Sequence, residues 1–217
     1  MASVSRRDAV INQIRRAIVM GALRPGDKLT EVSLARTLNV SRPTVREALS
    51  QFAGEGLLIQ EPYKGIRIAH HSPKALMDIA HTRMALDMLA CEAILEDPSG
   101  TRLEATLDAW RDYEGVEFDA DPLVRHEAHI AFHRAIWVAS ENEPLVRLWP
   151  VIEAQITITL AQEQVLRGDQ QRVHSVHRQL IDALLTRNRA EVEVAFFRHT
   201  VVSAQEFIEL LAQAEQG

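Results

Sequence analysis

Cysteine is nearly absent from this sequence, which has only Cys91 among its 217 residues. A single cysteine excludes an intrachain disulfide, so nothing in the composition requires an oxidising compartment. Aromatic residues are also few, at 5%, whereas 47% of the residues are apolar, so we expect a mainly aliphatic core. No apolar run reaches the ~18 residues of a membrane span, and the first ten residues lack the apolar segment of a signal peptide. We therefore expect a cytoplasmic protein with no membrane partner.

Charge is distributed unevenly along the chain. Residues 1–72 contain 11 Lys and Arg against 6 Asp and Glu, a net charge of +5, whereas residues 73–217 contain 13 against 24, a net charge of −11. A basic segment attracts a polyanion and an acidic segment is repelled by it. We therefore predict two domains, a nucleic-acid-binding domain over 1–72 and a domain with a different task over 73–217.

The stretch Glu31–Leu57 contains two short helical patterns on either side of a polar turn. Apolar residues recur at helical spacing in both: Val32, Leu34, Ala35 and Leu38 before the turn, and Val45, Ala48, Leu49 and Phe52 after it. In the turn, Ser41 is a natural N-cap for the second helix, and Pro43 suits its first turn. Two apolar helices joined by so short a turn predict a helix-turn-helix.

The second of these helices has a basic face. Arg42 and Arg46 are four residues apart and project from one side, with the hydroxyls of Thr44 and Ser50 nearby. An arginine can bind both major-groove acceptors of guanine, and hydroxyls can reach phosphates or base edges. Solvated arginines balanced by Glu47 are the alternative, but the cap, the turn and the basic face occur together. We therefore predict contacts with double-stranded DNA by Ser41, Arg42, Thr44 and Arg46.

Two β-prone segments follow, at Leu57–Gln60 and Ile66–Ala69, with a turn at Pro62–Gly65 between them. A hairpin after a recognition helix predicts a winged helix. Lys64 and Gly65 lie at its tip, where a lysine beside a glycine can approach phosphate or the minor groove. A merely solvated tip is an equal alternative.

From Ser72–Pro73 onward the sequence shows helical periods and no alternating strand pattern. Six helices are predicted, at Pro73–Leu95, Arg102–Glu114, Pro122–Ser140, Pro144–Arg167, Gln170–Arg187 and Ala190–Ala214. The predicted fold class is therefore mainly α, with an N-terminal winged helix-turn-helix followed by an all-helical bundle of about six helices.

Four histidines in this second domain are candidate metal ligands. His129 and His133 are four residues apart and share a helix face, while His177 and His199 lie among apolar residues of two later helices. Imidazoles that project into a bundle core can hold a divalent metal. Spacing alone favours the other interpretation, that they are separate histidines with ordinary hydrogen-bond partners.

The basic domain resembles the GntR family of bacterial transcription regulators. The resemblance rests on I-x-x-A-I at Ile14–Ile18, G-x-L-x-P-G-x-x-L at Gly21–Leu29, L-A-x-x-L-x-V-S-R-P-T-V-R-E-A-L at Leu34–Leu49 and E-G-L at Glu55–Leu57. It implies DNA contacts by the two arginines, by Thr44 and by the wing tip Lys64–Gly65. Val32 stands where the family usually has an arginine, so we expect one family contact to be lost.

The acidic domain resembles the FCD ligand-binding domain of the FadR-type branch. The matching segments are Thr82–Ala90, His129–His133, Val176–Ile181 and Phe197–His199. The resemblance implies a divalent metal held by the four histidines, with His129 replacing the family's aspartate. Loss of that negative charge favours softer metals such as Zn or Ni over Mn or Mg.

Arg83, on the first helix of this domain, matches an arginine that binds a carboxylate effector in the family. A guanidinium can bind a carboxylate through two parallel hydrogen bonds, and a pair with Asp87 at i+4 is the equal alternative.

We therefore expect a metabolite-responsive bacterial transcription regulator rather than an enzyme. It would bind a palindromic operator as a homodimer, because half-sites one helical turn apart require two-fold symmetry. A small organic acid and a divalent metal, Zn or Ni, would bind in the helical domain. A metal-dependent enzyme with a DNA-binding domain and a constitutive DNA binder without an effector are the alternatives.

Overall fold

The computed structural model describes residues 5–61, 65–117, 119–166 and 169–214. The protein is mainly α, with an N-terminal winged helix-turn-helix and a helical remainder, so the predicted fold class is confirmed. The chain divides into two compact units. One comprises Met1–His71 together with Pro150–Gln162, and the other comprises Ser72–Trp149 together with Glu163–Gly217.

The first unit contains three helices and three strands in its N-terminal part: α1 (Arg6–Val19), β1 (Lys28–Leu29), α2 (Glu31–Leu38), α3 (Arg42–Glu55), β2 (Leu58–Glu61) and β3 (Gly65–Ile68). The strands form an antiparallel sheet in the order β1-β3-β2. The predicted hairpin is present as β2 and β3, although Pro62–Lys64 of its turn lie outside the described residues. Strand β1 was not predicted, because two residues are too few to show an alternating pattern.

The turn of the helix-turn-helix has the predicted local chemistry. Asn39 ends α2 in the left-handed region (φ 51°), which asparagine tolerates better than most residues. The Ser41 hydroxyl accepts a hydrogen bond from the Thr44 amide at 3.3 Å, and Pro43 lies in the first turn of α3. Cap, turn and proline together fix where α3 starts and which of its faces is buried.

The predicted apolar face of α3 packs into the core of this unit. Its buried residues are Val45, Ala48, Leu49 and Phe52. On α2 the prediction for Val32 was wrong, because this side chain is 60% exposed. At about 100° per residue, position 32 lies roughly 110° around the helix from the centre of the Leu34, Ala35 and Leu38 stripe.

The other helices are α4 (Pro73–Leu95), α5 (Thr101–Glu114), α6 (Pro122–Ala139), α7 (Glu143–Leu166), α8 (Gln170–Thr186), α9 (Arg189–Phe197) and α10 (Ser203–Ala214). A π-helical turn, Arg198–Val202, joins α9 to α10. Side chains of Ser72, Asp121, Asp169 and Asn188 accept hydrogen bonds from the first turns of α4, α6, α8 and α9. These caps explain why the predicted starts lie within one or two residues of the observed ones.

Helix α7 contributes to both units. Its middle, Pro150–Gln162, belongs to the first unit, where Ala154 and Ile158 are fully buried in the core formed with α1 and α3. Polar contacts flank this packing: Arg15 pairs with Glu153 at 3.0 Å and with Glu55 at 3.4 Å. This first compact unit is therefore not contiguous in sequence.

None of the helices in the described residues is both long enough and apolar enough to span a bilayer.

Candidate nucleic-acid interface and metal centre

The candidate DNA-reading side chains lie at the start of α3. Arg42 and Arg46 are exposed, with side-chain exposures of 60% and 63%. The Ser41 and Thr44 hydroxyls are 2.8 Å apart and share one hydrogen bond. The four predicted residues thus occupy one turn and its cap, with both guanidiniums facing solvent, as a recognition helix requires.

Both arginines pair with Glu31, the first residue of α2. Arg46 donates through Nε to Oε1 and through Nη2 to Oε2, both at 2.9 Å, and Arg42 Nη2 lies 3.5 Å from Oε2. The hydrogen bond from Arg46 lowers the pKa of Glu31, so this carboxylate is ionised at neutral pH. The carboxylate that pairs with both arginines is therefore Glu31 rather than Glu47. Glu31 and Arg46 are 15 residues apart in sequence, and the fold brings them together.

At the wing, Gly65 is exposed and begins β3 with φ 89°. A left-handed backbone of this kind strongly favours glycine. Lys64, the other predicted residue at the tip, lies outside the described residues.

Three of the four candidate metal ligands converge. The Nε2 atoms of His129, His133 and His177 are 3.0 Å (129 to 133), 2.9 Å (133 to 177) and 2.8 Å (177 to 129) apart, and all three side chains are buried. Ligand atoms at such mutual distances can bind one metal ion. The fold thus joins the i,i+4 pair of α6 to a histidine of α8, which sequence spacing alone does not establish.

The protonation of these imidazoles suits metal binding. Burial lowers the pKa of His129 and His133 well below its usual range, and that of His177 to about 3. Neutral imidazole is the form that ligates metals. The Nδ1 of His177 lies 2.5 Å from the Val173 carbonyl, so Nδ1 carries the proton and Nε2 offers a lone pair to the cluster.

His199 lies beside the three converging histidines, on the π-helical turn. Its ring centroid is 4.9 Å from that of His133 and 4.6 Å from that of His177. Burial lowers its pKa well below the usual range as well. A π-turn inserts one residue into a helix and often marks a functional site; this one was not predicted, because the sequence pattern is that of one continuous helix.

Arg83 contacts both Asp87 and His199. Its Nε lies 3.2 Å from Asp87 Oδ2, and its Nη2 lies 3.2 Å from His199 Nε2. Trp137 Nε1 donates to Asp87 Oδ1 at 2.6 Å, and Asp87 is buried. The i+4 pair therefore exists, and the same guanidinium still reaches the histidine cluster.

Aromatic rings surround the other side of the cluster. The ring of Tyr113 lies 5.3 Å from that of His177, 5.9 Å from that of His129 and 5.6 Å from that of Phe132. Burial raises the pKa of Tyr113 to about 12. The ring centroid of His174 lies 5.4 Å from that of Trp110 in the same group of rings. These rings exclude water from the histidines, which helps to keep the imidazoles neutral.

Two family models match this chain. The first, described as bacterial regulatory proteins, gntR family, matches residues 6–68. The second, described as the FCD domain, matches residues 78–201, a range that includes Arg83 and all four candidate histidines.

Similar proteins agree with these matches. LutR, an HTH-type transcriptional regulator of Bacillus subtilis (strain 168), is 28% identical over 200 residues, which cover 82% of this chain and 90% of LutR. A structure of a transcriptional regulator GntR from Rhodococcus sp. RHA1 matches with a TM-score of 0.73 at 20% identity, over 94% of this chain and 98% of that one. E. coli McbR/YncC matches with a TM-score of 0.72 at 19% identity, over 98% and 100% of the two chains. The structural likenesses support the fold.

Proposed function

Because the chain belongs to the gntR family of bacterial regulatory proteins and carries an FCD domain, we propose that it regulates transcription in response to a small organic acid. DNA binding and regulation follow from the family itself, whose matched relatives are regulators and not enzymes. The observation that carries the proposal is the convergence of three imidazole nitrogens beside the guanidinium of Arg83, whose side chain is 11% exposed. This arrangement has the chemistry of a metal and carboxylate site.

On the DNA side, residues 1–72 bind one operator half-site. Arg42 and Arg46 read base edges from the exposed face of α3, while Ser41 and Thr44 contact the backbone or base edges. Lys64 and Gly65 contact phosphate or the minor groove. Replacing Arg46 with alanine should weaken specific binding by ~1–3 kcal/mol.

Residues 73–217 bind the effector and dimerise, and the metal is held by His129, His133, His177 and His199. The Nε2 atoms of His129, His133 and His177 lie 2.8–3.0 Å apart, close enough to share one ion. Both expected metals, Zn and Ni, accept imidazole ligands.

A divalent ion among neutral imidazoles retains its full positive charge, and the guanidinium of Arg83 adds one further positive charge. Within the described ranges, Asp87 is the carboxylate seen to pair with Arg83. An anionic effector would therefore be attracted both to the ion and to the guanidinium, which supports a carboxylic acid that contacts both.

The functional protein is a homodimer that acts in the cytoplasm on a palindromic operator, because two half-sites one helical turn apart need two recognition helices related by a two-fold axis. The organic acid changes the affinity of the protein for its operator only if it binds the DNA-free protein and the DNA-bound protein with different dissociation constants.

The test uses the full chain, loaded with Ni or Zn, and a duplex that the wild-type protein selects from a random pool. Titration with mono-, di- and tricarboxylic acids should shift the dissociation constant for this duplex with at least one acid. His133→Ala should lose both the metal and the shift, while His81→Ala, which replaces an exposed histidine, should retain both. An affinity that is indifferent to metal and to every acid would support the constitutive DNA binder instead.

A further inference from the structure

Glu31 is less exposed than the two arginines with which it pairs. Its side chain is 22% exposed, whereas those of Arg42 and Arg46 are 60% and 63% exposed. As the first residue of α2, Glu31 is held by the cap at Thr30, whose hydroxyl accepts from the Ser33 amide at 3.2 Å. The carboxylate therefore extends from a capped helix, α2, whereas the arginines that it binds lie on α3.

The pairing with Arg46 determines which edge of the guanidinium remains available. The two 2.9 Å hydrogen bonds occupy Nε and one N–H of Nη2. An arginine has five N–H donors in a rigid planar fork, so both N–H groups of Nη1 and one of Nη2 remain. That free end is the edge that binds O6 and N7 of guanine. Contact with Glu31 and contact with guanine are thus compatible.

We propose that Glu31 is a positioning residue that orients Arg46 for guanine readout and so contributes to operator specificity. This inference rests on the proposed base contact by Arg46. A long, exposed arginine loses rotamer freedom when it binds a base, and a carboxylate that fixes its plane beforehand removes part of that cost for the matching base.

Glu31 must also weaken binding that does not depend on sequence, because it places a negative charge near phosphates. Removing the charge should therefore raise the affinity for unrelated DNA while lowering discrimination at a guanine. These opposite effects separate a positioning role from a purely structural one, and they are measured as the ratio of two dissociation constants.

The experiment measures the binding of the full chain to the duplex selected by wild type and to derivatives in which each guanine–cytosine pair is replaced in turn by adenine–thymine. Glu31→Gln should reduce discrimination at one guanine per half-site by about fivefold or more, the lower end for a bidentate contact. Glu47→Gln removes the same charge from an exposed position on α3, and its discrimination should stay within about twofold of wild type.

Two further variants complete the design. Glu31→Asp keeps the charge and the helix start, but its side chain is one methylene shorter, so it should also lose discrimination even if Glu31→Gln folds poorly. In the Arg46→Ala background, Glu31→Gln should cause no further loss, because the two residues act as one unit.

The outcomes separate the two proposals. If Arg46→Ala reduces discrimination and both Glu31 variants retain it, the positioning role is overturned and the arginine contact stands. If Glu31→Gln instead binds the selected duplex with greater discrimination, Glu31 competes with DNA and the inference is also overturned. If Arg46→Ala itself binds as wild type, the proposed base contact fails and the positioning role fails with it.

Discussion

Arg83 contacts Asp87 and His199 with different nitrogen atoms of one guanidinium, through Nε to Oδ2 and through Nη2 to Nε2, both at 3.2 Å. Trp137 completes the network by donating to the other carboxylate oxygen at 2.6 Å. The two interpretations of Arg83, an ion pair along α4 and a ligand for an anion, are therefore compatible. The ion pair fixes the guanidinium, and its Nη2 still donates toward His199.

Breaking this buried pair should be costly. Asp87→Ala leaves the guanidinium of Arg83 and the Trp137 N–H without their acceptor, so we expect a loss of about 3–5 kcal/mol in the free energy of unfolding. Replacing both partners, as in Arg83→Met with Asp87→Leu, should restore most of it. Urea unfolding of the metal-free protein measures the free energy of unfolding of the single and the double variant. A loss below about 1 kcal/mol in the single variant would show that the pair is not desolvated as described.

The middle of α7 should stabilise the winged-helix unit. Ile158 is fully buried against that core, so Ile158→Ala should cost about 2–5 kcal/mol. Val151, in the same segment but 41% exposed, provides the matched control, and Val151→Ala should change stability by no more than about 0.5 kcal/mol. Hydrogen exchange of the α1 and α3 amides reports on the affected unit. Equal protection in both variants would argue against this packing.

Acid should destabilise the metal-free protein through the histidine cluster. Burial lowers the pKa of all four histidines in the folded state, to about 3 for His177, whereas in the unfolded chain the pKa is about 6.5. Below about pH 6.5 the unfolded state therefore binds more protons. Stability is complete above that pH and falls toward the folded-state pKa values, by up to about 1.4 kcal/mol per pH unit for each histidine.

Urea unfolding between pH 7.5 and 4.5 in the presence of a chelator tests this dependence. His177→Gln removes one titrating group, so its curve should be shallower by up to about 1.4 kcal/mol per pH unit. His81→Gln, at an exposed position, should leave the slope unchanged. Parallel curves for wild type and His177→Gln would contradict the burial of a neutral imidazole at position 177.

The fold was predictable where the signals are local. The helices of the second domain start at side-chain caps such as Ser72 and Asn188 and keep a regular apolar period, so the sequence predicts their bounds well. The π-turn at Arg198–Val202 was missed, because one inserted residue does not interrupt an apolar pattern of that length.

The features that sequence reasoning missed are tertiary. Glu31 and Arg46 lie 15 residues apart on different helices, and nothing local marks them as a pair. Burial of Ile158 in the first unit could not be predicted either, because its apolar neighbours on α7 suit the core of either domain. Four candidate ligands were predicted by residue type and resemblance, but only the fold shows that three Nε2 atoms converge.

Elemental analysis tests most directly whether the histidine cluster holds a metal. The chain is purified without a histidine tag, beside His133→Ala and the control His81→Ala. We predict one divalent ion per chain in wild type and in the control, and none in His133→Ala. No metal in any of the three proteins, even after incubation with Ni or Zn, would contradict the metal centre, whereas the proposed DNA contacts of α3 would be unaffected.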